Sequence, residues 1–404
     1  MDHASASLLD RIERALPRGL AERVALARRD AAMVLVGLSG RQPDPVVYRR
    51  ALARSVASAP ARGARSVRVR EVTRETADAV SLVLEDPTGA PFHYAPGQFF
   101  TVCATVDGVA LRRAYSASGA LPGGATLRIT VKRVAGGAMS TWLTTRAAAG
   151  DALALLGPSG SFVADAAPGR ARHAVLLGGG SGVTPLYAIA CAVLRDEPAS
   201  RVSLVYGNRA RDAVILADAL DALAARYPDR FAVRHLLEAP HEGFDGVVGR
   251  LDEGACAAVL DALDRAGDAP AEYYLCGPEP MRAAVRRALA ARGVDPATVR
   301  EEVYTSPRGA ALDAGAHTVT LRRRGAAREV TVQRGETILD AALRAGVDMP
   351  FSCTVGGCGA CQCARVEGEV TMDEPNCLRD DERAAGAVLT CVARPRGPVV
   401  LEVP

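Results

Sequence analysis

The sequence predicts a multidomain protein: an antiparallel β-barrel, an α/β domain built on a parallel sheet, and an α+β domain, preceded by a helical N-terminal extension. Three observations carry this prediction. Short β-rich runs separated by Gly and Pro occupy residues 66–163, strands alternate with helices over residues 172–302, and strands surround a single helix after residue 316. Regular short strands indicate a barrel or sandwich, whereas strand–helix alternation indicates a doubly wound parallel sheet.

Length and composition are consistent with this division. The 404 residues are enough for two to three domains, and 49% of them are apolar. The 49 Lys and Arg against 46 Asp and Glu give a net charge of +3, which offers no electrostatic reason to expect nucleic-acid binding. No apolar run approaches the roughly 18 residues that a membrane span needs, so we expect no integral membrane protein.

The N-terminal stretch, residues 1–62, has helical periodicity and a charge of +5, from 11 Arg against 6 Asp and Glu. It is compatible with a docking or membrane-surface helix, but we prefer a helical extension that packs on its own protein. Residues 31–38 have the apolar character of a signal peptide but begin too late in the chain for one. With the cysteines concentrated near the C-terminal end, we expect a cytoplasmic protein.

The strongest chemical signal is a set of four cysteines. Cys353, Cys358 and Cys361 lie on one predicted loop, and Cys391 follows after 29 intervening residues. This spacing matches the ligands of a plant-type [2Fe–2S] cluster. Structural zinc sites usually pair two short cysteine knuckles instead. The sequence therefore predicts an iron–sulfur cluster on these four thiolates, with the two other cysteines of the region outside the ligand set.

A glycine-rich turn joins an apolar strand to a helix at residues 176–185. Glycines at such a turn let the pyrophosphate of a dinucleotide approach backbone amides at the positive end of the helix, although a tight turn alone would look the same. Cys276-Gly277-Pro278 ends a later strand of the same predicted sheet. Because strand ends converge on one crevice, we expect a nicotinamide ring between Thr184 and a neutral Cys276 thiol.

A third signal lies in the barrel region. Arg113-Ala114-Tyr115-Ser116 is followed by basic residues at 132–133 and by a Gly-Gly turn at 136–137. Arg113 is suited to a bidentate phosphate contact, Tyr115 offers a ring edge or hydroxyl to an isoalloxazine, and the turn offers free amides to a pyrophosphate. An exposed arginine and a core tyrosine are the ordinary alternative. The order of the three modules favours a flavin site.

With these motifs in this order, the chain resembles the ferredoxin–NADP reductase superfamily fused to a plant-type ferredoxin. More closely, it resembles the flavin–nicotinamide–[2Fe–2S] reductase components of multicomponent oxygenases, over about residues 66–403. The resemblance implies an FAD-binding barrel domain at 63–168, an NAD(P)-binding domain at 169–306, a linker at 307–316 and a β-grasp [2Fe–2S] ferredoxin domain at 317–404. Residues 1–62 lie outside it.

The resemblance also implies site residues. Flavin would be bound by Arg113, Ala114, Tyr115, Ser116, Val131, Lys132, Gly137, Ala138, Met139 and Ser140. The nicotinamide dinucleotide would be bound by Gly179, Gly180, Gly182, Thr184, Pro185, Cys276, Gly277 and Pro278. Four residues would act at the reacting rings: Ser116, Cys276, Glu302 and Tyr304. The motifs at 136–142 and 157–162 favour FAD over FMN, and we prefer NADH to NADPH, although Arg209 and Arg211 also suit a 2′-phosphate.

The activity implied by the resemblance is hydride transfer from NAD(P)H to FAD, followed by electron transfer through the [2Fe–2S] cluster to a separate terminal oxygenase. The acidic residues at 373–374 and 380–382 are a candidate docking face, or simply solvated loop charge. Two alternatives stay open. The partner could be a fatty-acyl desaturase or a diiron hydroxylase, or the chain could be a redox-sensing binding protein with negligible turnover.

Overall fold

The computed structural model describes residues 64–107, 109–119, 123–264, 270–304, 315–351, 353–357, 359–373, 376, 378 and 380–404. All of them fall within one compact unit, Val56–Pro404. The predicted helical extension at residues 1–62 lies outside the described residues, and so does Cys358. The described part of the chain has three large sheets, which we call the barrel sheet, the parallel sheet and the mixed sheet, and one two-stranded sheet.

The barrel sheet comes first along the chain. It comprises β1 (Arg65–Thr76), β2 (Ala79–Glu85), β3 (Phe99–Val106), β4 (Val109–Ser116), β5 (Thr126–Lys132) and β6 (Ala152–Ser159). These strands are antiparallel in the order β4–β3–β6–β1–β2–β5. A bridge between Ala117 and Ile129 joins the chain just after β4 to β5, and so brings the two edges of the sheet together. Helix α1 (Ala138–Thr145) packs against this barrel.

The parallel sheet comprises β7 (His173–Gly179), β8 (Arg201–Asn208), β9 (Phe231–Leu237), β10 (Val247–Val248), β11 (Ala271–Cys276) and β12 (Val299–Glu302). Its order is β10–β9–β8–β7–β11–β12, with every pair parallel. The connecting helices are α2 (Val183–Asp196), α3 (Ala217–Arg226), α4 (Glu253–Asp264) and α5 (Glu279–Ala291). All residues of β7 are buried, as expected for a central parallel strand covered on both faces.

The mixed sheet is the last of the three. The strands of this region are β13 (His317–Arg323), β14 (Ala326–Val332), β15 (Gln362–Glu367), β16 (Val370–Met372), β17 (Ala387–Leu389), β18 (Ala393–Pro395) and β19 (Val399–Glu402). Five of them form the order β14–β13–β19–β15–β17, while β16 and β18 pair separately. Helix α6 (Ile338–Arg344) begins with a capping box between Thr337 and Asp340, and α7 (Asp380–Ala384) follows.

The alternation of strands and helices predicted for residues 172–302 is confirmed, but the sequence patterns missed several strands. Strand β4 escaped because the consecutive arginines Arg112 and Arg113 interrupt its apolar pattern. Strand β12 has one apolar residue, Val299, followed by three charged ones, and it forms because the edge of β11 offers it a parallel partner. Strands β16, β17 and β18 have three residues each, which is too few to show a period, and β15 has a single buried residue, Cys363.

The chain that leaves β6 links the barrel sheet to the parallel sheet. Phe162 and Ala164 pack into the core formed by β7 and α2, and the Phe162 ring meets Tyr274 edge-on at 5.9 Å between centroids. Gly97 makes this approach possible, since it has a φ of +103° and a Cβ there would lie 1.9 Å from the carbonyl oxygen of Phe162. The two sheets are therefore packed against each other through shared apolar side chains.

Candidate active site

A cleft opens where the three sheets meet, and we call it the central cleft. Its walls come from the barrel sheet, from the end of β12, and from the cysteine-rich loop of the mixed-sheet region. The residues that line it include Phe99, Ala114, Ser116, Glu301, Glu302, Tyr304, Val355, Gly357 and Asn376. Three predicted catalytic residues thus line one cleft, although they are up to 188 positions apart in the chain.

Tyr304 joins the barrel sheet to the parallel sheet through its hydroxyl group. This hydroxyl lies 3.2 Å from the Ser116 Oγ, 3.0 Å from the Thr184 Oγ1 and 3.4 Å from the carbonyl oxygen of Ser181. The residue as a whole is 39% exposed and lines the cleft, while its hydroxyl is anchored by these contacts. Burial of the hydroxyl raises the Tyr304 pKa well above its usual value, and this group therefore stays protonated.

Glu302 is a buried carboxyl group beside Ser116. Burial raises its pKa to about 8, and a hydrogen bond with Ser116 opposes part of that rise. Within the described residues, its Oε2 atom has no hydrogen-bond partner. A buried polar atom without a partner is unfavourable unless a ligand or water satisfies it. Glu302 is therefore protonated near neutral pH and has one oxygen free to meet a polar group of a bound ligand.

The glycine-rich turn lies at the carboxyl ends of β7 and β11. A 3₁₀ turn spans Gly180–Gly182 between β7 and α2, and Gly178 pairs with Cys276 in the sheet. A Cβ at Gly182 would lie only 2.0 Å from the carbonyl oxygen of Cys276, so the turn can approach β11 this closely only as glycine. The small residues and the amino end of α2 leave a cradle that fits a dinucleotide pyrophosphate.

The other residues predicted for the dinucleotide surround the same turn. Thr184 and Pro185 are buried in the first turn of α2, while Gly277 and Pro278 connect β11 to α5. A Cβ at Gly179 would lie 2.7 Å from the Met281 Sδ, so this position too is closely packed. Burial raises the pKa of the Cys276 thiol well above its usual range, and the thiol is therefore neutral.

The residues predicted for flavin come together at the closure of the barrel. Arg113 to Ser116 lie on β4 and Val131 and Lys132 lie on β5, which the bridge after β4 places side by side. Arg113 is exposed and, among the described residues, no carboxylate pairs with it; its Nη1 donates to the carbonyl oxygen of Arg112 at 2.7 Å. Its guanidinium is thus available to a phosphate. Burial raises the pKa of Tyr115, so that hydroxyl is protonated.

The remaining predicted flavin residues lie at the amino end of α1. Gly137 is the N-cap of this helix and is followed by Ala138, Met139 and Ser140. Met139 is 1% exposed and belongs to the barrel core, as does Val131, so only their backbone atoms are available to a ligand. The free amides of this helix end fit a phosphate group.

The described part of the predicted cluster site has the right donors. Cys353, Cys361 and Cys391 are all buried, and the thiol of Cys391 is hydrogen-bonded to that of Cys361 and approached by the amide of Gly356. The amide of Val355 donates to the Cys353 Sγ at 3.5 Å. Within the described residues, no three metal-binding side chains converge on one ion, whereas a [2Fe–2S] centre distributes four thiolates over two irons.

The cluster loop reaches the wall of the barrel. Val355 and Gly357 of this loop line the central cleft with Phe99, and a Cβ at Gly357 would lie 3.8 Å from the Phe99 ring. The Arg112 guanidinium lies 4.3 Å from the centroid of the Phe351 ring, two positions before Cys353. The sequence predicted no role for Phe99, Arg112 or Phe351, since the contacts of a single arginine or phenylalanine leave no spacing signal.

One residue of the candidate docking face, the acidic residues at 373–374 and 380–382, does not suit that role. Asp373 forms an ion pair with Arg394 at 2.6 Å, and its side chain is only 10% exposed. An already paired and largely buried carboxylate is poorly suited to attract a partner. Among the described residues, no helix is both long enough and apolar enough to cross a membrane.

Comparison with protein families gives the class of the protein. The "Oxidoreductase FAD-binding domain" matches residues 66–163, the "Oxidoreductase NAD-binding domain" matches residues 176–287, and the "2Fe-2S iron-sulfur cluster binding domain" matches residues 321–396. These segments correspond in turn to the barrel sheet, the parallel sheet and the mixed sheet. The chain is an oxidoreductase with FAD-binding, NAD-binding and 2Fe–2S domains.

Individual relatives define the family more closely. The ferredoxin reductase component of 3-ketosteroid-9-alpha-monooxygenase from Mycolicibacterium smegmatis is 36% identical over 81% of this chain and 94% of that protein. One of the subunits of 1,2-phenylacetyl-CoA epoxidase from Escherichia coli is 33% identical, with coverage of 82% and 94%. The chain therefore belongs to the ferredoxin-reductase-type reductase components of multicomponent oxygenases, which confirms the resemblance seen in the sequence.

A solved structure supports the same assignment. Phthalate dioxygenase reductase, described as a modular structure for electron transfer from pyridine nucleotides to [2Fe–2S], is 26% identical with a TM-score of 0.57. The match covers 85% of this chain and 98% of that one. The three-part architecture is thus shared along nearly the whole of that protein.

Proposed function

We propose that this protein takes electrons from NAD(P)H and passes them through FAD and a [2Fe–2S] cluster to a terminal oxygenase component. The observation that carries the proposal is the central cleft, which is lined by Ser116 of the barrel, Tyr304 after the parallel sheet, and Val355 of the cluster loop. One cleft bordered by all three parts is the arrangement that sequential electron transfer requires.

FAD held by Arg113 and the amino end of α1 would supply two-electron chemistry towards the nicotinamide and one-electron chemistry towards the cluster. The chain supplies positioning and proton control. The hydroxyls of Ser116, Thr184 and Tyr304 form a hydrogen-bonded group at the meeting point of the flavin and nicotinamide sites. Glu302 holds a proton on its carboxyl group beside Ser116, and Cys276 contributes a neutral thiol.

We propose FAD rather than FMN, because the amino end of α1 offers amides suited to a second phosphate. We propose NADH rather than NADPH, because Arg211, one of the two arginines after β8 that suit a 2′-phosphate, already pairs with Asp221 at 3.3 Å. The two proposals are tested together by chromatography of the released flavin and by the KM values for NADH and NADPH. A lower KM for NADPH would reverse the second.

We propose an oxygenase as partner in preference to a desaturase, because the relatives named above are components of a monooxygenase and an epoxidase. A cytoplasmic location is supported by the eight described cysteines, none of which forms a disulfide. We also keep the domain boundaries 63–168, 169–306 and 317–404, and a helical extension at 1–62. Limited proteolysis with mass spectrometry of the fragments tests those boundaries.

The central experiment is an assay of the purified protein. We expect flavin and [2Fe–2S] absorbance, rapid reduction of cytochrome c by NADH, and electron delivery to a Rieske-type or diiron oxygenase added to the assay. Negligible turnover with NADH and artificial acceptors would reject the proposal and favour a redox-sensing binding protein.

A further inference from the structure

The two faces of β4 place different residues on the two sides of the barrel wall. Successive side chains of a strand point to opposite faces, so Arg112, Ala114 and Ser116 share one face while Arg113 and Tyr115 share the other. Ala114 and Ser116 line the central cleft. Arg112 therefore extends the cleft-facing row, about 13 Å from Ser116 at the rise of an extended strand.

Arg112 has an unusual environment for a cation. It is half-buried, and among the described residues no carboxylate pairs with it. Its guanidinium instead lies 4.3 Å from the centroid of the Phe351 ring, within the range of a favourable cation–π contact. Partial desolvation of a guanidinium is unfavourable without such compensation, so the position of Phe351 matters to Arg112.

Phe351 ties this contact to the cluster loop. Its ring packs against the core of the mixed sheet, and Cys353 follows two positions later. On the other side of the loop, Gly357 lies beside Phe99 of β3. The loop that carries three of the four predicted cluster ligands thus contacts the barrel at two points, just before its first cysteine and in its middle.

We propose that Arg112 is a positioning residue for electron transfer from the flavin to the cluster. The contact with Phe351 holds the cluster loop against the same face of β4 that presents Ser116 to the central cleft. This inference rests on the proposed function, because it assigns Arg112 to the second of the two transfer steps. Arg112 takes no part in hydride transfer under this inference. It also does not bind the flavin phosphate, a role that we assign to the neighbouring Arg113.

The test uses the holoenzyme with Arg112→Ala, Arg112→Lys, Phe351→Leu and the Arg112→Ala/Phe351→Leu double variant. Arg226→Ala is the matched control, since it removes an exposed arginine that lies 5.4 Å from the ring of Tyr227, far from the cluster loop in sequence. Stopped-flow absorbance with NADH separates the reduction of the flavin from the reduction of the cluster. Hydrogen–deuterium exchange of a peptide covering residues 349–363 reports the contact without turnover.

We expect flavin reduction to be unchanged and cluster reduction to slow by about three- to tenfold in Arg112→Ala and Phe351→Leu, the factor that one lost cation–π contact gives. Exchange in the 349–363 peptide should be faster in both variants. Arg112→Lys should recover part of the rate, and the double variant should be no slower than either single variant. The control should match the wild type.

Three results would overturn the inference. The first is loss of bound flavin from Arg112→Ala, and the second is equal slowing of flavin reduction and cluster reduction. The third is hydrogen–deuterium exchange and cluster reduction at the same rates as in the Arg226→Ala control. If Arg112→Ala does not fold, the same measurements on Phe351→Leu test the contact from its other side. A wild-type protein that binds no cluster, or that does not reduce it with NADH, would instead reject the proposed function, and the exchange experiment would still decide whether the contact exists.

Discussion

Two junctions meet at the central cleft, and they are built differently. At the nicotinamide–flavin junction, hydrogen bonds link the barrel sheet to the parallel sheet: Tyr304 with Ser116 at 3.2 Å and Glu75 with the amide of Leu216 at 3.0 Å. At the flavin–cluster junction, the described contacts are those of rings, with Arg112 over Phe351 and Phe99 beside Gly357. The first junction therefore adds directional hydrogen bonds to the apolar packing of Phe162 on Tyr274, whereas the described contacts of the second junction are made by aromatic rings.

The difference follows from what crosses each junction. A hydride is a hydrogen nucleus that moves together with two electrons, so its donor and acceptor must approach to about 3–3.5 Å in a fixed orientation. Hydrogen bonds impose that orientation. An electron crosses without moving a nucleus between the partners, so close contact of the two parts is sufficient. The predictions below each disturb one junction and leave the other in place, from the largest expected effect to the smallest.

Cys391→Ser should remove the cluster and abolish the flavin–cluster step entirely. We expect loss of cytochrome c reduction with NADH-to-ferricyanide activity retained, because flavin reduction needs only the first junction. Visible absorbance and both assays check this. Cys363→Ala is the control, since Cys363 is buried nearby on β15 but lies outside the predicted ligand set. Equal loss of both activities would contradict the proposed electron path.

Arg172→Met should weaken the first junction by lowering the free energy of unfolding. The Arg172 guanidinium forms two bonds to Glu197, at 2.8 and 3.0 Å, and one to the carbonyl oxygen of Ala164 in the chain leaving the barrel. Removing one partner of a buried ion pair lowers the free energy of unfolding by about 3–5 kcal/mol. Denaturant titration measures it.

The control for Arg172 is the exposed pair of Arg287 and Glu253, joined at 2.7 Å. Arg287→Met should change the free energy of unfolding by about 0–1 kcal/mol, because solvent screens an exposed ion pair. If both variants lose the same stability, the Arg172 network does not hold this junction together.

Glu302→Gln should alter the pH dependence of flavin reduction. Because burial raises the Glu302 pKa to about 8, the protonated form predominates below that pH and is lost above it. We expect the wild-type rate of flavin reduction to fall by about tenfold between pH 7 and pH 9, the loss of protonated form that this pKa gives. Stopped-flow rates in Glu302→Gln should be flat over this range. Parallel profiles for the two proteins would show that Glu302 is not the titrating group.

The same raised pKa has a consequence for stability. A folded-state pKa above the unfolded value of 4.5 means that the proton on Glu302 stabilises the fold at low pH and that this contribution is lost as the pH rises towards 8. The Tm of the wild type should therefore fall relative to that of Glu302→Gln between these pH values. A constant difference in Tm would contradict a buried, protonated Glu302.

Glu75→Ala should have the smallest effect. Glu75 accepts hydrogen bonds from Ser81 and from the amide of Leu216, a residue held at a φ of +61°. Losing them should lower the free energy of unfolding by about 1–3 kcal/mol and slow flavin reduction slightly, with cluster reduction unchanged. Glu71→Ala, an exposed position on the same strand, is the control. Slower cluster reduction would mean that the two junctions are coupled.

The sequence was a good guide wherever a spacing or a period carries the signal. The four cysteines, the glycine-rich turn and the strand–helix alternation each depend on fixed distances along the chain. It was a poor guide for contacts made by single residues. Strand β12 has no apolar period, yet it delivers Glu302 and Tyr304 to the cleft, and only family resemblance pointed to those two residues.

The sequence by itself determined the three modules, their order, and the donor chemistry of each, because glycine conformations, cysteine spacing and hydrophobic periods are local properties. Only the tertiary structure decided how the modules meet. Three features depend on burial and on neighbours far away in the chain: the pKa of Glu302, the hydrogen bonds of the Tyr304 hydroxyl, and the position of Arg112 over Phe351. Desolvation and contact geometry arise only when separate sheets pack together, so no local pattern encodes them.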